Sequence, residues 1–185
     1  AAAEDYEANC EKARQLLAEA GYPNGEGFPT VEYLYNTGDR HKAIGEALQS
    51  MWQTQLGVTV TLSNQEAGVF LETCKNGDFT ISRNAWLPDY NDAMSFLDMW
   101  ITDGGNNVVH YSSADYDEVL EKAMSAADPA ERMEYMHNAE DIIIGRDSAL
   151  APVYFYTSRY LLDDSVEGMF YNPLGFYFFM NCAKT

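Results

Sequence analysis

Helical and strand periods alternate along the first half of the chain. The predicted order is helix, strand, helix, strand, helix, strand, over residues 5–20, 31–35, 41–55, 58–62, 65–74 and 79–86 in turn. Gly21 and Gly57 end the first two helices, because glycine is common just past the last helical turn. Strands separated by helices of this length need right-handed crossovers, so the pattern predicts an α/β fold with a largely parallel sheet.

The pattern changes in the second half. Three further helices are predicted there, over residues 92–100, 114–126 and 129–144. Ser112 or Ser113 is suited to cap the second of these and Asp128 the third, because such side chains accept hydrogen bonds from free helical N–H groups. Apolar runs then predict a strand pair or bent strand over 150–162 and a last strand over 176–181.

The end of the chain is unusually rich in aromatic residues. Residues 150–181 contain ten tyrosines and phenylalanines, and no helical pattern follows them. Strands this apolar normally need cover on both faces. The pattern therefore predicts that their partner surface is missing from this chain or belongs to another chain.

Composition and charge narrow the class of protein. The chain has 185 residues, of which 46% are hydrophobic, enough for one globular domain or slightly more. Acidic residues number 29 and basic residues 11, giving a net charge of −18 without a Lys/Arg cluster, which argues against binding to nucleic acid. No apolar run approaches the ~18 residues of a membrane span, and the N-terminal residues show no signal-peptide pattern.

Familiar catalytic and cofactor motifs are missing from the sequence. The three cysteines are far apart and odd in number, and the three histidines lack metal-binding spacing, so neither a disulfide framework nor a metal site is predicted. P-loop, GxGxxG and GxSxG patterns are also missing, so no cofactor is predicted.

Two polar loops are the candidate ligand site, because ligands of open α/β sheets gather at the carboxyl ends of the strands. Residues 36–41 follow the first predicted strand and residues 87–92 follow the third. Asp89 in the second loop is suited to bind an ammonium group or a metal, to act as an acid or base, or to cap the helix that begins near Asp92. A pair formed by Asp89 and Asp92 is the corresponding hydrolase alternative.

Two neighbours of this loop allow a structural and a functional interpretation. Trp86, at the end of the third predicted strand, is either a core residue or a flat wall for a ligand. Arg83 is either the partner of a carboxylate within the protein or a binder of a ligand carboxylate.

Four motifs together are specific: "AEAGYPNG", "YNTG", "LGVTVTLSNQE" and "DYND". With the ending "LAPVYFYTSRYLLDDSVEGMFYNPLG", they make nearly the whole chain resemble the C-terminal lobe of oligopeptide-binding proteins. These are extracellular solute-binding proteins of family 5, which serve ATP-driven (ABC) peptide importers. The resemblance implies a periplasmic binding protein-like (type II) fold, with a mixed, mostly parallel sheet flanked by helices.

The resemblance also implies how the chain is organised and used. Residues 1–152 correspond to the C-terminal α/β lobe, and residues 153–185 to strands that return to an N-terminal lobe absent from this chain. The implied role is to capture peptides for transmembrane transport, without catalysis or a cofactor. The implied partners are a peptide, the permease subunits of the importer and the missing lobe. The implied location is extracellular or periplasmic, with an anchor on a lipoprotein segment that precedes this chain.

The resemblance assigns a peptide-binding role to the loop after the third strand. Asp89 matches the aspartate that pairs with the peptide's α-ammonium group. Ala85, Trp86 and Leu87 match an extended stretch whose backbone bonds to the peptide like an added strand.

Further residues match other parts of the family's cleft. Arg83 matches an arginine that meets peptide carboxylates, Asn36 and His41 match polar groups of the same wall, and Tyr156 matches a cleft tyrosine near the crossing between lobes.

Two positions depart from the family's oligopeptide binders. Ala67 stands where those proteins carry a tryptophan, and Cys74 where they carry an arginine. The family also includes binders of dipeptides, glutathione, nickel complexes and other solutes, and these ligand classes stay open.

Overall fold

The computed structural model describes residues 5–185, so the first four residues of the predicted lobe lie outside the described residues. The chain divides into two compact units, one ending at Asn84 and one formed by Ala85–Thr185. The division at residue 152 inferred from the family resemblance stays a prediction. Within residues 5–185, no helix is both long and apolar enough to cross a membrane.

The first unit has the predicted alternation of helices and strands. Its elements are α1 (Tyr6–Glu19), β1 (Val31–Asn36), α2 (Asp39–Leu56), β2 (Val60–Gln65), α3 (Ala67–Lys75) and β3 (Ile81–Ser82). The three strands are all parallel and are ordered β2-β1-β3. The strand predicted over 79–86 is wrong for most of its length, because only Ile81 and Ser82 form β3 and its pairing with β1 ends at the backbone N–H of Arg83.

The central strand β1 is buried on both faces, as expected for a parallel sheet covered by helices. Tyr33 and Tyr35 are buried in one cluster with residues of α1 and α2, such as Leu17 and Trp52. Leu34 is fully buried and points to the opposite face, since successive strand residues alternate.

Gly57 ends α2 in the left-handed region, with φ of 71°. A Cβ atom at this position would lie 2.1 Å from the backbone oxygen of Asn24, so only glycine fits the turn. The predicted end of the helix at this glycine is confirmed.

The second unit contains two predicted helices and one segment that differs from its prediction. It holds α4 (Ala114–Ser125) and α5 (Pro129–Glu140), capped by Ser113 and Asp128 as expected. A π-helical turn, Asp141–Arg146, continues α5. The helix predicted over 92–100 is wrong, because this segment forms two short 3₁₀ turns, Ala93–Phe96 and Asp98–Trp100.

The core of the second unit joins these turns to the helices. Its buried members are Met94, Leu97, Met99, Trp100, Tyr116, Leu120, Ala123, Met136, Ala139 and Ile143. The Tyr116 hydroxyl is fully buried and donates a hydrogen bond of 2.8 Å to the backbone oxygen of Leu97. Burial raises the pKa of Tyr116 above its ordinary value, because ionisation is unfavourable away from water.

The last thirty or so residues form little regular structure. Two short antiparallel pairs are present: β4 (Val166–Glu167) with β7 (Ala183–Lys184), and β5 (Phe170–Tyr171) with β6 (Tyr177–Phe178). The strands predicted over 150–162 do not form, and the strand over 176–181 shrinks to β6. Apolar alternation alone does not make a strand, since a strand needs a partner edge and isolated pairs are marginal.

Candidate ligand-binding site

Three of the predicted site residues meet at the carboxyl ends of β1 and β3. The Arg83 guanidinium donates to the side-chain oxygen of Asn36 at 3.3 Å. The His41 ring lies with its Nδ1 3.0 Å from the backbone oxygen of Asn36, so this nitrogen carries the proton in that bond. All three side chains are half-buried, and together they form one polar wall.

Local structure explains why these residues meet. The backbone N–H of Arg83 donates to the backbone oxygen of Leu34 at 2.8 Å, which continues the pairing of β3 with β1. His41 lies in the first turn of α2, which follows β1 after only two residues. The short connection therefore brings the imidazole back to the strand end.

Gln65 belongs to the same edge and was missed by sequence reasoning. It is the last residue of β2, and its side-chain Oε1 is buried without a hydrogen-bond donor within residues 5–185. Thr37 nearby donates instead to the backbone oxygen of Gln65 at 3.0 Å. The sequence could have indicated Gln65, because it is a polar residue that follows a predicted parallel strand at its carboxyl end, like the residues of the two candidate loops.

The remaining predicted residues lie in the second unit, where the chain from Ala85 to Pro88 is neither helical nor part of a sheet. Within residues 5–185, the backbone N–H and C=O groups of Trp86 and Leu87 have no hydrogen-bond partner. The Leu87 side chain is 72% exposed. Trp86 and Leu87 therefore have main-chain donors and acceptors that the described residues 5–185 do not use.

Trp86 packs as a core residue, and its role as a wall for a ligand stays a prediction. Its half-buried ring packs against the core of the second unit. Its indole N–H is buried but has no acceptor within the described residues 5–185. A buried donor without a partner is costly, so this group is a candidate for a hydrogen bond to a ligand or water.

Asp89 is exposed, and its position is set through its backbone. The backbone N–H donates to the Ser95 hydroxyl oxygen at 2.9 Å. No group in residues 5–185 donates to its carboxylate. The alternative that Asp89 caps the following helix is wrong, because Asp92 takes this role and accepts from the backbone N–H of Met94 at 2.8 Å.

Asp92 is occupied by an ion pair with α5. The Arg132 guanidinium donates to both carboxylate oxygens of Asp92, each at 3.0 Å. This pairing and the bond from Met94 lower the pKa of Asp92. In a glycoside-type hydrolase, the ionised carboxylate has to attack the sugar or activate a water. Both oxygens of Asp92 instead accept hydrogen bonds from Arg132, which opposes the hydrolase alternative.

Removing Arg132 tests this ion pair. In an Arg132→Ala variant, we expect the pKa of Asp92 to rise toward the ordinary aspartate value of about 3.9. A carboxyl group with a lowered folded-state pKa stabilises the fold above its unfolded-state pKa, and this contribution is lost as the pH falls through the folded-state pKa.

The variant should therefore be less stable than the natural sequence at pH 7, by about 0.5–1 kcal/mol for a partly exposed pair. The difference should vanish in strongly acid solution. Urea unfolding at several pH values and NMR titration of Asp92 measure both effects. Lys122→Ala, which removes an exposed pair with Glu118, is the control that leaves the pKa of Asp92 unchanged.

Tyr90, next to Asp89, links the two ends of the same loop through a hydrogen bond. Its hydroxyl donates to the carboxylate of Asp98, and burial together with this bond raises the pKa of Tyr90 to about 12. The loop of residues 88–98, here called the Asp89 loop, is thus held by several of its own contacts.

Tyr156 lies in the part of the second unit that has no regular secondary structure. Its ring is 43% exposed and lies 4.9 Å from the ring of Tyr154, measured between centroids. A tyrosine pair of this kind offers a partly exposed aromatic surface.

The described part of the chain contains no cluster of three or more His, Cys, Asp and Glu side chains arranged to hold a metal ion. In the first unit, Asn36, His41 and Arg83 offer an amide, an imidazole and a guanidinium group. In the second unit, Asp89 offers a carboxylate without a donor within residues 5–185, beside the aromatic rings of Trp86 and Tyr156. Each set suits an organic ligand with charged or hydrogen-bonding groups.

Comparison with known proteins supports the resemblance seen in the motifs. Residues 1–108 match the family described as bacterial extracellular solute-binding proteins, family 5, middle region. The chain is 40% identical over 158 residues to the periplasmic oligopeptide-binding protein OppA of Salmonella typhimurium. The aligned segment covers 85% of this chain and 29% of that protein. The chain therefore spans less than a third of the length of this relative.

Solved structures show the same fold. A periplasmic oligopeptide-binding protein of an ABC transporter from Borrelia burgdorferi, OppAIV, matches with a TM-score of 0.71 and 39% identity, over 75% of this chain and 28% of that one. Listeria monocytogenes OppA bound to peptide matches with a TM-score of 0.76 and 31% identity, over 95% of this chain and 34% of that one.

These matches confirm the predicted fold class, a periplasmic binding protein-like α/β structure with helices around a parallel sheet. They also cover most of the chain. The chain belongs to the bacterial extracellular solute-binding proteins of family 5.

Proposed function

We propose that this chain is part of the substrate-binding component of an ABC peptide importer and that it captures oligopeptides. The observation that carries the proposal is the exposed Asp89 carboxylate, which accepts no hydrogen bond within residues 5–185. It follows directly on a backbone stretch with unused donors and acceptors. The relatives named above are described as oligopeptide-binding or as bound to peptide, which supports the same ligand class.

Asp89 binds the α-ammonium group of the peptide in this proposal. Burying an ammonium group without an anionic partner is costly, so a peptide-binding site needs a carboxylate at that end. A carboxylate that already accepted bonds from the protein would be less suited to this role.

The backbone of Ala85, Trp86 and Leu87 pairs with the peptide as an added strand. Main-chain pairing gives affinity without selecting side chains, which suits a protein that collects mixed peptides. The unused groups of Trp86 and Leu87 support this role, and the partly exposed ring of Tyr156 adds aromatic surface.

Arg83, Asn36 and His41 form the polar wall that meets peptide carboxylates and carbonyl groups. A guanidinium group is well suited to carboxylates because its N–H groups match both oxygens. The bond from Arg83 to Asn36 orients the guanidinium without neutralising its charge.

The proposed partners follow from exposed apolar surface and from the relatives. Phe155, Leu161 and Met180 are more than 80% exposed, and most neighbouring aromatic residues are also accessible. We propose that a second lobe of the same protein covers them, and that permease subunits receive the loaded protein. The proposed location is extracellular or periplasmic, with a lipoprotein anchor outside this chain, and the proposed activity is binding without catalysis.

Titration of the complete natural protein with peptides tests this function. The probes are a pool of unmodified tripeptides to pentapeptides, followed by the best-binding peptide in isothermal titration calorimetry. We expect saturable binding, a raised melting temperature, and recovery of the peptide unchanged by mass spectrometry.

A dipeptide, glutathione and a nickel complex serve as comparison ligands. Binding of one of these without binding of any longer peptide would contradict the proposed ligand class. Cleaved peptide in the recovered material would contradict a pure binding role.

A further inference from the structure

The Asp89 loop holds the backbone of Asp89 and leaves its carboxylate unbonded. The only hydrogen bond of Asp89 within residues 5–185 runs from its backbone N–H to the Ser95 hydroxyl oxygen, at 2.9 Å. Other residues of the loop have contacts of their own, such as that of Tyr90 with Asp98. Within residues 5–185, however, Asp89 itself is held directly only by a side chain six residues further along the chain.

Ser95 is itself held rigidly. Ser95 is only 1% exposed although it is polar, and it lies directly after Met94, a buried member of the core of the second unit. Its backbone N–H donates to the backbone oxygen of Asp92 at 3.1 Å. Asp92 in turn is fixed to α5 by both oxygens through Arg132. A buried hydroxyl group on a fixed turn can hold the backbone of Asp89 in place, because the hydroxyl oxygen itself has little freedom to move.

We propose that Ser95 is a positioning residue for ligand binding, which places the Asp89 carboxylate for the ligand's ammonium group. The inference rests on the proposed function of Asp89 and assigns to Ser95 no contact with the ligand. Ser95 restricts the positions open to Asp89 before the ligand binds. The entropy lost on binding is therefore smaller.

Loss of the hydroxyl has a specific consequence. In Ser95→Ala, the Asp89 N–H turns to water and the carboxylate is no longer held in place. We expect peptide affinity to fall about ten-fold, which corresponds to one ordinary hydrogen bond. The effect should depend on the presence of the Asp89 carboxylate, because only that group is being positioned.

A double-mutant cycle in the complete natural protein tests this dependence. Peptide affinity is measured by calorimetry for the natural sequence, Ser95→Ala, Asp89→Ala and the double variant, with the best-binding unmodified peptide from the pool as probe. We expect Ser95→Ala to cost about ten-fold in the natural background and nothing in the Asp89→Ala background.

Two further variants separate positioning from folding. Ser113→Ala removes a hydroxyl that caps α4 in the same unit and should lower the melting temperature without changing peptide affinity. Ser95→Cys keeps the shape of the side chain with a weaker acceptor and should give an intermediate loss. If Ser95→Ala does not fold, the same cycle with Ser95→Cys decides the question.

The outcomes distinguish the two levels of the proposal. Equal losses from Ser95→Ala in both backgrounds, or unchanged affinity in the natural background, would overturn the positioning role while leaving Asp89 as the ammonium partner. Unchanged affinity in Asp89→Ala would overturn the proposed function of Asp89, and the role of Ser95 with it.

Discussion

Replacing Asp89 by alanine is expected to weaken peptide binding by about 2–5 kcal/mol in the complete natural protein. The reason is that, in the proposed site, the peptide's ammonium group loses its carboxylate partner while still being removed from water. Since no group in residues 5–185 donates to this carboxylate, its removal should leave the fold nearly unchanged. Calorimetry with an unmodified peptide measures the loss.

Asp78→Ala is the matched control for this variant. Asp78 is an exposed aspartate in the turn before β3, and its recorded hydrogen bond is made by its backbone N–H. Its removal changes the net charge by the same amount, so a general electrostatic effect on affinity would appear in both variants. Equal affinities for the Asp89→Ala variant and the natural sequence would show that another group binds the ammonium.

Replacing Leu120 by alanine is expected to lower the free energy of unfolding by about 2–5 kcal/mol. Leu120 is fully buried in the core that joins α4 and α5 to the 3₁₀ turns of the Asp89 loop. Its shortening removes apolar contacts and leaves a cavity that its neighbours fill only in part. Urea unfolding, followed at the transition of the second unit, measures the change. The m-value should equal that of the natural sequence.

Met124→Ala on the same helix is the control. The Met124 side chain is 56% exposed, so its truncation should change the free energy of unfolding by less than about 0.5 kcal/mol. Similar effects of the two substitutions would mean that α4 packs with a different face from the one described.

Much of the first unit was predictable, because its elements carry their own local signals. The helices α1 and α2 show apolar residues at helical spacing and end at glycines, and β1 and β2 show alternating residues. A strand followed by a helix and a second strand leaves few arrangements other than a right-handed crossover. The parallel sheet therefore followed from order and length alone.

The shorter elements were less predictable, since their structure depends on partners far away in the sequence. The alternating run over 79–86 looks like β1, but its pairing with that strand is limited to Ile81, Ser82 and the backbone N–H of Arg83. The aromatic run over 150–162 has a strand pattern and forms no strand. In both cases residue type sets the propensity, while an adjacent strand edge decides whether hydrogen bonds form.

The site shows the same division between sequence and tertiary structure. The sequence by itself identified Asn36, Arg83 and Asp89 as candidate groups, because local periodicity predicts polar residues after β1 and β3. It predicted a third strand that ends at Trp86, whereas β3 ends at Ser82, so Asp89 lies in an irregular loop. Only the tertiary structure decided their partners. Arg83 meets Asn36 across 47 positions, and Arg132 reaches Asp92 across 40, separations over which periodicity carries no information. Arg132 occupies the carboxylate of Asp92, whereas the carboxylate of Asp89 has no donor within residues 5–185. Both residues are aspartates, so packing and not residue type sets this difference.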